Sequence, residues 1–222
     1  MPELLLFPVE LRRFFEEPRN SVILPAAILV PFFSLWPYFP SPFVPALTAT
    51  FACMEPYFLN MWYLWPGQWE SLAIRPLDWR RVVAVKNLTA LCLTLTTFSC
   101  FAVITYYVHN GRVPTGTIGP AFLHCILGGF ALAMFGNNYS VVSPRARIGW
   151  TLDDLAASVL ALIVAGAAMV PVIILTYLIG PWPANGALIM LALLLWAGWS
   201  LPASATRIAH SIPELWANAT YS

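Results

Sequence analysis

Six times along this chain, about twenty mostly apolar residues follow one another: 21–39, 43–64, 83–108, 118–136, 154–179 and 184–207. A run of that length matches the roughly 30 Å of hydrocarbon that a helix must cross. In lipid the backbone must satisfy its own hydrogen bonds, so continuous apolar runs of this kind are helices. The pattern predicts an all-α integral membrane protein with six transmembrane helices. Only 9% of the residues are charged, against about 25% in an ordinary soluble domain. A chain of 222 residues then has room for one membrane domain and little else. Its net charge of +1 argues against nucleic acid as a partner.

The runs divide the chain into an interfacial N-terminal helix over 1–20, a six-span domain over 21–208 and a cytoplasmic tail over 209–222. In the first segment Val9, Leu11, Phe14 and Phe15 lean to one side, and Glu10, Arg13 and Glu17 to the other. That suits a helix lying flat in the interface, and Pro18 ends it. The N-terminus has no basic stretch before its apolar residues and does not resemble a cleaved signal peptide. Pro25, Pro31, Pro37, Pro45 and Pro56 fall in the first two runs. Proline kinks a membrane helix by freeing a carbonyl, so this hairpin is expected to be bent or partly re-entrant. Cys53, Cys92, Cys100 and Cys125 lie inside apolar runs without CxxC spacing. They read as small buried hydrophobes, neither disulfides nor metal ligands.

Orientation follows from the basic residues. With the N-terminus inside, Arg12, Arg13, Arg19, Arg75, Arg80, Arg81, Lys86, Arg145, Arg147 and Arg207 fall on the cytoplasmic side, and of the eleven only Arg112 falls outside. This bias predicts a multi-pass protein of the cell's inner (plasma) membrane with both termini cytoplasmic.

Four of those basic residues sit in one connector, "WPGQWESLAIRPLDWRRVVAVKN" (65–87). The stretch 68–75 forms about two helical turns, with Trp69, Leu72 and Ala73 on one face and Glu70 and Arg75 flanking it. Pro76 stops this helix, and Asp78 is placed to cap the next one, which enters the membrane through Trp79, Arg80 and Arg81. Such a stretch serves either as an interfacial anchor, since Trp and Arg gather at membrane surfaces, or as a docking element for a soluble partner.

Residues 60–88, with Asn60, Gly67, "LAIRP" and "VKN", and residues 136–147, "GNNYSVVSPRAR", resemble the membrane subunit of an ABC-2 type ABC transporter. An interfacial N-terminal helix, six spans and a cytoplasmic helix between spans two and three belong to the same resemblance. It implies a permease, an exporter, that forms the substrate pathway as a dimer with a second copy or a related chain. It also implies a separate cytoplasmic ATPase that grips a coupling helix at Trp69, Glu70, Leu72, Ala73 and Arg75. This chain has no GxxxxGK[ST] phosphate loop, so ATP and Mg would bind the partner, with no cofactor on this chain. A haem-export-like permease is a variant of the same class, although no haem-binding motif is evident.

Glu55 is the one acid well inside a span, roughly 20 Å in from the outer surface. A charge there costs about 2.5–3.5 kcal/mol on insertion scales. It either pairs with a basic residue such as Lys86, which is the favoured reading, or it shapes the substrate pathway or couples to a proton. His124 and Cys125 are adjacent, so they point to different faces, and no metal site is expected. Asn137, Asn138 and Ser140 mark the cytoplasmic end of span four. Asp153 and Asp154 cap the fifth span with Thr151. Ala157, Ala161, Ala165, Gly166 and Ala168 allow a close helix approach, within the subunit or at a dimer contact. A non-transporting scaffold subunit remains an alternative. An intramembrane enzyme is the weaker one, because HExxH, GxSxG and paired acids at membrane depth are all missing from the sequence.

Overall fold

A computed structural model describes residues 43–59, 78–109, 111 and 115–142, and scattered helical positions between 156 and 167 and between 206 and 210. The described elements are α1 (Val44–Leu59), α2 (Trp79–Val108), a 3-10 turn (Thr115–Thr117) and α3 (Ile118–Val142). Two stretches, Trp79–Val108 and Ile118–Tyr139, are long and apolar enough to cross a membrane.

Helix α1 follows from an apolar stretch whose first proline, Pro45, stands in the first turn, where a backbone N–H has no intrahelical partner to lose. The helix continues through Pro56. Among the described residues of α1, burial runs from Phe51 and Phe58 through Leu47, Met54 and Tyr57 round to Ala46, Cys53 and Ala49, more than half of the circumference. A helix apolar all round belongs in the middle of a packing unit. The hydroxyls of Thr48 and Thr50 donate to the carbonyls of Val44 (3.0 Å) and Ala46 (2.7 Å), one turn back. They therefore enter the core with their hydrogen bonds made.

Helix α2 begins where the sequence places its cap. Asp78 is extended (φ −77°, ψ 98°), and its carboxylate accepts from the Arg80 N–H at 3.1 Å. Its 30 residues run about 45 Å. At the far end the His109 N–H donates to the Thr105 carbonyl at 3.1 Å, and Gly111 donates to Tyr106 at 3.0 Å. Gly111 has a φ of 72°, a left-handed conformation that glycine adopts without a Cβ penalty.

Across the α2–α3 contact, Phe98 meets Phe122, Thr94 meets Cys125, and Asn87 meets Asn137. The numbers rise on one helix as they fall on the other, so the two are antiparallel. Between α1 and α3, Phe51 stands against Gly128 and Phe58 against Gly136, so these two run the same way. Alternating direction is what successive crossings of one layer require.

In the second apolar run the helix starts at Val44, and Leu59 is its last described residue. The third span starts at Trp79, four residues earlier than position 83, because Asp78 caps there. The fourth apolar run is helical from Ile118, as expected, and the stretch apolar enough to cross ends at Tyr139, at the Asn137, Asn138 and Ser140 cluster, while the helix itself continues to Val142. Asn138 satisfies its amide internally, donating to the Met134 carbonyl at 2.8 Å. A second correction concerns the cysteines. Cys53 and Cys125 are buried, but Cys92 and Cys100 are exposed on α2. They share a row with Leu88, Thr96 and Ile104 that faces away from α1 and α3; a helix apolar on all sides carries no periodicity to mark which side turns outward. In the fifth run Ala156, Val159, Leu160, Ile163 and Gly166 are helical and exposed. The segment 1–20, the first run and the stretch 68–75 lie outside the described residues.

Candidate functional site

The connector meets the described structure at the start of α2. Asp78 Oδ2 lies 3.3 Å from Arg81 Nε, both side chains being about half exposed or more. An exposed pair of this kind contributes about 0–1 kcal/mol, so the carboxylate matters mainly as a cap. Arg80 and Arg81 are exposed and Trp79 is half buried. This end therefore presents two cations and an indole directly after the proposed docking stretch. Trp69, Glu70, Leu72, Ala73 and Arg75 themselves lie outside the described residues.

Two turns further into α2 the surroundings change. Lys86 is only 1% exposed and Thr89 is fully buried. Thr89 donates to the Val85 carbonyl at 2.8 Å. Asn137 is 1% exposed, and its amide nitrogen donates to Asn87 Oδ1 at 2.8 Å. Beside it, Gly136 lies against the carbonyl of Phe58 in α1. Three helices thus meet around one polar node. The node joins "VKN" (85–87) to "GNN" (136–138), two motifs 50 residues apart that the sequence presents separately. Reading Asn137 only as a marker of the span's end leaves its pairing unseen. The signal was there, since two asparagines in apolar helices need partners.

Glu55 lies on α1. Met54 turns toward α2, its sulfur 3.9 Å from Thr97 Oγ1. The expected pairing of Glu55 with Lys86 concerns a side chain that lies outside those described; Lys86 shares the α1-facing row of α2 with Ala90, Leu93 and Thr97. Lys86 does engage in an interaction of its own.

His124 and Cys125 diverge, as their adjacency requires. The Cys125 sulfur lies 3.9 Å from the Thr94 carbonyl oxygen, while His124 is half buried with an Nε2 that makes no hydrogen bond. Among the described residues no three His, Cys, Asp or Glu side chains gather as a metal site would need. Comparison of the chain with protein-family models, with curated proteins and with solved structures finds no match.

Proposed function

We propose that this chain is the membrane-embedded permease subunit of an ABC-2 type transporter, an exporter that crosses the plasma membrane six times with both termini in the cytoplasm. It works with a second copy or a related chain, and a separate cytoplasmic ATPase supplies the energy. The observation that carries the proposal is the start of α2. A capped, 30-residue helix begins with Trp79, Arg80 and Arg81 immediately after the stretch 68–75. A rigid rod attached to that stretch is suited to carry a push from a soluble motor into the membrane domain. The alternating directions of α1, α2 and α3 support the serial crossing.

The test is purification in mild detergent, with identification of the copurifying chains. An ATPase chain should accompany the parent protein and be released when Trp69, Leu72 and Arg75 are changed together to Ala. If the parent brings down other membrane subunits and no ATPase, the chain is a scaffold.

A further inference from the structure

Helix α2 has one long open side. Leu88, Cys92, Thr96, Cys100, Val103 and Tyr107 are all exposed along it. The chemistry of the exposed surface changes along the helix in a definite order. It starts at the cations Arg80 and Arg81, beside half-buried Trp79. Between Lys86 and His109 the sequence holds no charged residue. It ends at Tyr106 and Tyr107, 49% and 74% exposed. From Arg80 to Tyr107 the helix runs about 40 Å, close to the roughly 40–45 Å of a bilayer with its headgroups. Trp and Tyr settle at that boundary, and basic side chains meet anionic headgroups there. The hydroxyls within the apolar stretch are already bonded. Thr96 donates to the Cys92 carbonyl and Ser99 to the Leu95 carbonyl, each at 2.8 Å. The open side therefore asks no hydrogen bond of its surroundings, as hydrocarbon requires. A partner helix in the membrane would instead use such hydroxyls to bond across.

We infer that this side of α2 is a phospholipid contact. Acyl chains lie along Leu88 to Val103, and headgroups meet Arg80 and Arg81 at one end and Tyr106 and Tyr107 at the other. The inference rests on the membrane reading of the chain and deepens it. It takes the open side of α2 out of both the substrate pathway and the contact with a second copy. It also fixes depth. The middle of the stretch from Arg80 to Tyr107 falls just past Leu93, so along the helix Cys92 lies about 2 Å and Cys100 about 10 Å from the bilayer centre.

The test uses the full chain in vesicles of phosphatidylcholine and phosphatidylglycerol. Two variants keep Cys92 or Cys100 with the other three cysteines changed to Ala, and a third carries Arg80→Cys with all four changed to Ala. Each thiol takes a nitroxide label. Collisions with oxygen, which concentrates in hydrocarbon, should exceed those with a water-soluble nickel chelate several-fold at Cys92, by less at Cys100, and should fall below them at Arg80→Cys. A second arm needs no substitution. A phospholipid with a carbene-generating group at the end of its acyl chain should tag Leu88 and Val103 in the unaltered chain and leave buried Phe98 and Phe101 untagged. Nickel collisions above oxygen collisions at Cys92 overturn the inference in favour of a water-filled route. Few collisions with either reagent, or a disulfide joining two copies through Cys92 or Cys100 on mild oxidation, overturn it in favour of a second copy. Tagging of Phe98 and Phe101 in place of Leu88 and Val103 overturns it as well. If carbonate washing strips the chain from the vesicles, the membrane reading fails and the inference falls with it. Absence of a copurifying ATPase ends the transporter reading and leaves these expectations as they are.

Discussion

The ring of Phe98 meets that of Phe122 edge-on, with centroids 5.0 Å apart and planes at 90°. The same Phe98 ring reaches Phe43, the residue just before α1, so one fully buried side chain on α2 touches both α3 and the entry to α1. Edge-on geometry places the positive rim of one ring on the negative face of the other and adds about 0.5–1.5 kcal/mol to the area buried.

Phe98→Ala should therefore lower stability by about 3–5 kcal/mol, the range for an emptied aromatic core site. Phe98→Leu should cost clearly less, because it keeps most of the volume. Thermal unfolding of the detergent-solubilised protein measures both. Equal losses would show that ring geometry, and not filled volume, dominates at this site.

The glycines of α3 separate two kinds of close contact. A Cβ at Gly128 would strike the ring of Phe51, whereas at Gly136 it would strike the main-chain carbonyl of Phe58; at Gly116, in the 3-10 turn before α3, it would meet nothing within 4 Å. Overpacking typically costs about 1–3 kcal/mol. Gly128→Ala should be destabilising and partly rescued by Phe51→Leu, because a side chain can yield. Gly136→Ala should be destabilising without rescue by any change at position 58, because the backbone remains. Gly116→Ala should be neutral. Melting temperatures of the four variants give the comparison.

At the start of α2, Asp78→Ala should cost about 1 kcal/mol through the lost cap. Asp78→Asn keeps an acceptor for the Arg80 N–H and should stay close to the parent, since the exposed Arg81 pair contributes little. An Asn variant as unstable as the Ala variant would mean that the charge is the larger part. Hydrogen exchange at the first turn of α2 reads the effect locally.

The cysteines report the two environments directly. Cys92 and Cys100 are exposed and Cys53 and Cys125 buried. In detergent, a small lipophilic maleimide should modify Cys92 and Cys100 well before the other pair, with all four reacting once the protein is unfolded. In intact membranes, a water-soluble maleimide should leave Cys92 and Cys100 unmodified if their row faces lipid. Mass spectrometry of the labelled peptides distinguishes the positions.

The sequence by itself determined that the described elements are helices, where α2 is capped, and where α2 ends and α3 begins. Each depends on residues close in the chain: Asp78 at the start of α2, and apolar length. It also placed Cys125 and His124 on different sides, since helical periodicity requires it. Only tertiary structure decided that α1 is the enclosed helix and that α2 turns Cys92 and Cys100 outward. In a run apolar on every side, no periodicity marks an inner face. The Asn87–Asn137 bond is likewise a tertiary fact. Local reasoning takes a polar pair in "GNN" as a helix end, because it cannot see the partner 50 residues away that allows an amide to stay inside.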